Sequence, residues 1–313
     1  MNDPTDYTQL SNQKILVTGG AGFIGSHIVP ALQETGAHVT VLDDLSSGFV
    51  HNVPEGVPLI HGSILDKKLI TSALHKCRYI IHLAAFVSVP GSHDRPEECR
   101  QINVEGTQNL LDAANDADVK RVVFMSSCAV YNATTQGPLS ELDEPAPNSP
   151  YAESKLLGEE LVAQYKPENH GGVSLRLFNV FGPRQSPSGS YAAAVPQFLY
   201  ALRNGKQPVI FGDGLQTRDF VYVDDVVRAT ASALLADQTM PSVFNVGSGE
   251  EHTILEVVIG LAAALGLDVH PRFESPRKGD IRRSCAAINL AHKFLDFTPE
   301  ISLEEGLKRL ARH

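Results

Sequence analysis

Short apolar runs recur along the first half of the chain, and between them apolar residues return every three or four positions. The runs fall at 15–18, 38–42, 58–61, 79–83, 122–125 and 173–177. They are rich in Val, Ile and Leu and lack the strict alternation of a half-exposed strand, so they read as strands buried on both faces. Stretches 103–115 and 151–165 carry helical periodicity. Strand and helix in alternation, from residue 14 to about 180, predict an α/β fold: a doubly wound parallel sheet with helices on both faces. The strands end in small or polar residues: Thr18-Gly19, Asp43, Leu83-Ala84-Ala85, Ser126-Ser127 and Phe178-Asn179. Open α/β sheets bind their ligands at these carboxyl ends.

Past residue 180 the texture changes. The segment 182–190 is loop-like, and the elements after it are shorter and more varied. This predicts two parts, 12–180 and a smaller α/β lobe over 181–313 that covers the carboxyl edge. A returning segment within 224–247, ending in the strand-like Phe244-Asn-Val-Gly247, interleaves the two. No internal repeat or low-complexity tract interrupts this pattern.

The first strand runs into Gly19-Gly20-Ala21-Gly22-Phe23-Ile24-Gly25 and then into a helical pattern. Glycines here serve a tight turn, close approach of backbone to a pyrophosphate, and close packing of helix on strand. The helix N-terminus turns free N–H groups and a partial positive charge toward an anion. A glycine pattern alone is weak, because Gly-rich turns are common. The second run adds weight, since it follows at βαβ distance and ends in Asp43. An acidic residue about twenty positions after the glycines grips a ribose 2′-hydroxyl and repels a 2′-phosphate, which favours NAD over NADP.

Composition narrows the picture. With 313 residues, 42% hydrophobic and 20% charged, this is an ordinary globular composition. A net charge of −10 without a basic cluster argues against nucleic acid as a partner. Cys77, Cys99, Cys128 and Cys285 show no metal-ligand or disulfide-framework spacing, and read as reduced packing thiols of a cytoplasmic protein. No signal-peptide layout and no membrane-spanning run is evident, so neither membrane nor metal enters the expectation.

Tyr151 and Lys155 stand four apart on a helical pattern and so share a face. A tyrosine is a poor base near neutral pH, and a neighbouring ammonium favours its phenolate. The spacing alone means little, since any exposed helix face produces it. Ser127, at a strand end one βα connection earlier, turns the pair into a proton-handling group, although Ser126-Ser127 also suits a plain helix cap.

These segments, with Leu-Asp-Asp-Leu (42–45), His-Leu-Ala-Ala (82–85), Asn-Val-Glu-Gly-Thr (103–107), Ser-Ser-Cys-Ala-Val-Tyr (126–131) and Tyr-Ala-Glu-Ser-Lys (151–155), resemble the extended short-chain dehydrogenase/reductases. Within that group the chain is similar to the nucleotide-sugar 4-epimerases. The resemblance extends through Leu-Arg-Leu-Phe-Asn-Val-Phe-Gly-Pro-Arg-Gln (175–185), Gly-Asp-Gly-Leu-Gln-Thr-Arg-Asp-Phe (212–220) and Arg-Lys-Gly-Asp-Ile-Arg-Arg-Ser (277–284). It implies a Rossmann sheet and an isomerase that oxidises a sugar at C4 through a transient 4-keto sugar and NADH. Tyr151 would be the base, Ser127 would bond the 4-hydroxyl, and Lys155 would hold the nicotinamide ribose. NAD would further lie against Gly19, Gly22, Phe23, Ile24 and Gly25, and against Asp43, Asp44, Leu45, Ser47 and Gly48. Ser63, Ile64, Leu83, Ala84, Ala85, Asn103, Ser126 and Phe178 complete that set.

For the UDP-sugar, the resemblance implies Asn179, Arg218 and Arg277 at the diphosphate, Asp280 at a ribose hydroxyl, and Val195 and Phe211 around the uracil. Ser88, Gln185, Val209 and Ser284 join them. Relatives that eliminate water carry an Asp-Glu pair where Cys128 and Ala129 stand, and decarboxylases carry a glutamate at Ala129; both reactions lose support. A bulky tyrosine often closes the sugar pocket of relatives restricted to plain hexoses, and its position here is Ser284. That favours UDP-N-acetylglucosamine and UDP-N-acetylgalactosamine, with UDP-glucose/UDP-galactose and the UDP-uronic acids as alternatives. A nucleotide-sensing scaffold is the non-enzymatic alternative. Ser63 replaces a usual aspartate at the adenine. Relatives pair through two helices, here about residues 95–116 and 150–168, so the resemblance implies a homodimer with Leu110, Leu111, Leu156, Leu157 and Leu161 as candidate contacts.

Overall fold

The computed structural model describes residues 7–131, 137–166, 171–187, 193–237, 240–276 and 281–313. All six apolar runs form strands: β1 (Lys14–Thr18), β2 (His38–Asp43), β3 (Leu59–His61), β4 (Tyr79–His82), β5 (Arg121–Ser127) and β6 (Gly172–Leu177). Short strands follow as β7 (Asn179–Phe181), β8 (Val209–Phe211), β9 (Thr217–Arg218) and β10 (Phe220–Tyr222), and the chain then returns as β11 (Val243–Val246). The main sheet has the order β11-β6-β5-β4-β1-β2-β3, with every neighbour parallel. The chain therefore winds outward from β1 in one direction and resumes at β4 in the other. The carboxyl ends of β1 and β4 flank the switch point, where such sheets leave a crevice.

Alternation along each strand splits the apolar residues between two layers. Ile15, Val17, Ile81, Val123 and Met125 enter the core shared with α1 (Gly25–Glu34), while Leu16, Leu42, Ile80, Val122 and Phe124 enter the opposite core. That second layer is covered by α2 (Lys67–Ala73) and by the helices after β4. These are α3 (Val89–Asp94), α4 (Pro96–Arg100), α5 (Gly106–Asp116) and α6 (Pro150–Gln164). Between α4 and α5 the helix widens into a π turn, Gln101–Glu105. Helix α6 begins where its sequence says it should: the Ser149 hydroxyl accepts from the Ala152 N–H, and Pro150 occupies the first turn. Gly158 brings α6 close to the sheet, because a Cβ there would lie 2.6 Å from Phe124 Cζ.

A separate core unites Phe181, Phe198, Ile210, Tyr222, Leu261 and Leu307. It is built by α7 (Ala194–Arg203), α8 (Val223–Leu235), α9 (Ile254–Ala264) and, after α10 (Asn289–Leu295), α11 (Leu303–Arg312). Phe23, on the glycine turn, packs against this core and so joins it to the main sheet. Among the described residues no helix is long and apolar enough to cross a membrane.

Candidate active site

The glycine turn lies in the crevice. Gly19 has φ +71°, and a Cβ there would sit 2.6 Å from the Ala84 nitrogen, so backbone from β1 and β4 meet directly. A Cβ on Gly22 would meet one atom, Gly19 O at 3.3 Å, which leaves that side of the turn open to a ligand. Asp43 closes the far end: its carboxylate accepts from the Ala21 N–H at 2.9 Å and the Leu45 N–H at 2.8 Å. Burial raises its pKa, and those two N–H groups pull it back. Gly48 packs on Ala21, Asp44 accepts from the Ser46 N–H, and Ser47 is exposed beside them. Asn52 was not expected here, yet its amide donates to Ala21 O at 2.8 Å and braces the turn. Ser63 caps its own loop by accepting from the Leu65 N–H, and Ile64 is core. These residues fit a dinucleotide: a backbone cradle with no side chain to block it and a carboxylate at the ribose end.

The catalytic candidates converge at the carboxyl end of β5. Ser127 is its last residue; its Oγ accepts from the Ala129 N–H at 3.1 Å, and its hydroxyl lies close enough to Tyr151 to favour the phenolate. The Lys155 ammonium donates to Met125 O at 2.9 Å, lies 4.9 Å from the Phe124 ring centroid and 5.9 Å from that of Tyr151. Burial pulls Lys155 down to about 8, against the charges of Cys99 and Glu159. For Tyr151 the sequence suggests a lowered pKa, and here the structure differs. Burial dominates and pushes the hydroxyl up to about 12, with the nearby Ser127 hydroxyl acting in the other direction. Cys128, beside Ser127, is likewise pushed up to about 12 by burial, so it stays a neutral thiol.

Several expected ligand residues have their side chains engaged within the fold. The Asn103 amide, in the π turn, donates to Phe86 O and Ser154 Oγ and accepts from the Phe86 N–H. It therefore ties the loop after β4 to α6. The Ser126 hydroxyl donates to Glu159, and Ser88 caps α3 by accepting from the Gly91 N–H. Val195 is 2% exposed and packs in the second core from α7. Phe178 is buried beside Tyr131. Leu83 and Ala84 hang from Thr18 through its carbonyl and hydroxyl, and Ala85 follows them into the crevice rim.

A hidden polar chain backs this rim. Thr18 Oγ1 bonds His82 Nδ1 at 2.7 Å, and His82 Nε2 bonds Thr107 Oγ1 at 2.9 Å. The Thr107 hydroxyl donates to Asn103 O, so it must accept from His82, and the imidazole is the neutral Nε2–H tautomer. Burial drives its pKa down to about 3, with the Lys155 charge adding to the effect.

On the substrate side, Asp219 is fully buried and organises the wall. Its carboxylate accepts from Ser248 (N–H and hydroxyl), the Gly249 N–H and the Ala286 N–H. The neighbouring Arg218 guanidinium donates to Thr217 O and Ile281 O, and Asn179 donates to Asp219 O. Gln185 donates to Val180 O, while its own Oε1 is buried and has no partner among the described residues. Phe211 and Val209 lie on β8, which pairs with β13 (Arg272–Glu274), while the small β12 (His252–Thr253) pairs with β9, the strand of Arg218. Ser284 is 5% exposed and precedes the segment clamped by Asp219. Arg277 and Asp280 lie outside the described residues.

A model of the NAD dependent epimerase/dehydratase family matches residues 15–247. The UDP-glucose 4-epimerase of Mycolicibacterium smegmatis is 40% identical over 304 residues, covering 95% of this chain and 96% of that protein. The chain belongs to this family. It is an extended short-chain dehydrogenase/reductase of the nucleotide-sugar epimerase group, an isomerase that uses NAD. Two solved structures are similar to this epimerase along its length. The UDP-glucose 4-epimerase of Thermotoga maritima, with UDP-glucose, has a TM-score of 0.90 at 38% identity, covering 96% of this chain and 98% of that one. A UDP-N-acetylglucosamine 4-epimerase from Methanobrevibacter ruminantium M1, in complex with UDP-N-acetylmuramic acid, has a TM-score of 0.90 at 36% identity with the same coverage.

Proposed function

We propose that this epimerase interconverts UDP-N-acetylglucosamine and UDP-N-acetylgalactosamine, with UDP-glucose and UDP-galactose as lesser substrates. The observation that carries the sugar choice is Ser284: a small, buried side chain where a tyrosine would fill the pocket. Removing a steric block admits the larger acetamido sugar without rejecting the smaller one. Both classes of substrate occur among the similar epimerases, which supports the breadth of this reading.

Tyr151 takes the proton of the sugar 4-hydroxyl, and the neighbouring Ser127 bonds that hydroxyl. Bound NAD supplies the hydride acceptor for C4 and a positive ring that favours the phenolate. Lys155 remains an ammonium at neutral pH and works in the same direction. Neither Cys128, a neutral thiol, nor Ala129 can serve as the acid/base pair that elimination requires. Arg218 and Asn179 face the diphosphate, with Arg277 and Asp280 assigned to the same half of the ligand. The enzyme acts in the cytoplasm as a homodimer. Leu110 and Leu111 are buried and Leu156 and Leu161 pack on the cores of their own subunit, so exposed Leu157 is the leucine left for that contact. Light scattering that returned the monomer mass would remove the dimer from this reading.

The test is a side-by-side turnover assay on UDP-N-acetylglucosamine, UDP-glucose and UDP-glucuronic acid, with the 4-epimers resolved by chromatography. Efficiency on the acetamido sugar equal to or above that on UDP-glucose is the expected result. Turnover of UDP-glucose alone would overturn the sugar choice, and no epimer from any of them would overturn the reaction.

A further inference from the structure

The polar interior behind the catalytic group contains a charged pair, Glu159 and Arg176, outside the residues assigned above to the cofactor and the sugar. Ser126, Arg176 and Asn245 are register partners on β5, β6 and β11, so they form one row across three adjacent strands. Glu159, one helical turn after Lys155 on α6, lies over this row. Its carboxylate accepts from Ser126 Oγ at 2.5 Å and from Arg176 Nε and Nη2 at 2.9 and 2.7 Å. Both side chains are nearly sealed from solvent, at 4% and 5% exposure. Arg176 in turn lies 4.7 Å from the Tyr131 ring centroid, and the Tyr131 hydroxyl donates to Asn245 Oδ1 at 2.6 Å. The Asn245 amide then donates to Leu139 O and to Ala287 O, in the segment that follows Ser284.

We propose that the Glu159–Arg176 pair is a positioning device for the epimerase reaction. One carboxylate holds both the strand that ends in Ser127 and the helix that carries Tyr151 and Lys155. It thereby fixes the approach of the two hydroxyls, and Arg176, Tyr131 and Asn245 extend the same frame to the wall beside Ser284. A buried ion pair is a poor way to add stability, because apolar residues of similar volume stabilise an interior as well or better. What the pair offers instead is direction: a bidentate fork fixes orientation that a methyl or methylene contact leaves loose. This inference rests on the catalytic reading of Ser127, Tyr151 and Lys155.

The experiment uses the NAD-loaded enzyme and the double variant Glu159→Met/Arg176→Met, which removes both charges together. A positioning role predicts a folded protein with full NAD content and an unchanged UDP-sugar KM, but a kcat lower by about 10- to 100-fold. A merely structural role predicts a kcat that follows the folded fraction, so a folded double variant with wild-type kcat overturns the proposal. Should that variant fail to fold, Ser126→Ala decides: it removes only the hydroxyl held by Glu159. It is expected to lower kcat about tenfold at constant KM and NAD content, and wild-type kcat in it overturns the proposal. Wild type and Tyr151→Phe are run beside both. An inactive wild type, or an active Tyr151→Phe, strikes the catalytic reading itself; an active wild type with an inactive Tyr151→Phe and unaltered network variants strikes only the inference.

Discussion

His82 makes the stability of this epimerase sensitive to acid in a way that can be worked out in advance. The imidazole is 1% exposed, neutral, and bonded on both nitrogens, to Thr18 and Thr107. Its folded-state pKa lies near 3, against an ordinary 6.5 for the unfolded chain. Below 6.5 the unfolded chain therefore gains a proton that the folded protein refuses, and the equilibrium moves toward unfolding. The contribution is complete above 6.5 and is lost progressively as pH falls toward 3. From pH 7 to pH 5 the chain crosses roughly 1.5 units of that window, at about 1.4 kcal/mol each, so His82 alone removes about 2 kcal/mol. In His82→Gln, an amide replaces the imidazole with an acceptor and a donor that do not titrate. Urea unfolding at pH 7 and pH 5, followed by far-ultraviolet circular dichroism because the chain has no tryptophan, measures both proteins. NAD is held at one saturating concentration, since bound ligand adds to stability. The wild type should lose about 2 kcal/mol more than the variant between the two pH values. Parallel losses would refute the buried neutral imidazole and the tautomer assigned to it.

Three further outcomes are expected. Tyr151→Phe should retain NAD and UDP-sugar binding and lose turnover by at least about 10²-fold, and near-wild-type rates would exclude the proton role. Ser284→Tyr should depress kcat/KM for UDP-N-acetylglucosamine far more than for UDP-glucose; equal losses in the same chromatographic assay would undo the pocket argument. Gly19→Ala combines a left-handed backbone with a Cβ 2.6 Å from the Ala84 nitrogen. It should purify with little or no NAD or not fold, and full NAD content by absorbance would contradict the close approach of β1 and β4.

The sheet was legible because its strands are buried on both faces, which leaves runs such as 15–18 and 122–125 apolar without interruption. The glycine turn was legible because the tasks of turning tightly and meeting backbone fall to one residue type. Much of what holds the site together was not legible, since it depends on pairs far apart in the chain. His82 and Thr107, Ser126 and Glu159, and Glu159 and Arg176 have no shared spacing to recognise. A weak signal did exist: a histidine ends the run 79–82, and an arginine interrupts 172–177, both otherwise suited to a dry sheet. A polar residue in a strand buried on both faces needs a partner, although the strand pattern alone does not say which. Tyr151 shows a different limit. The spacing to Lys155 suggests a tyrosine drawn toward its anion, whereas the depth of its burial, visible only in three dimensions, pushes the hydroxyl the other way.

The late return of β11 also limits how this enzyme can be taken apart. Every residue of β6 is buried, and β11 pairs along it at four positions after more than sixty intervening residues (178–242). A fragment ending near residue 180 would carry β6 as a bare edge, with an open row of N–H and C=O groups ready to recruit another chain. Chimeras face the same demand. An exchange of the second half between two family members must bring an Asn245 equivalent into register with Arg176, or the edge strand arrives without the bond that seats it.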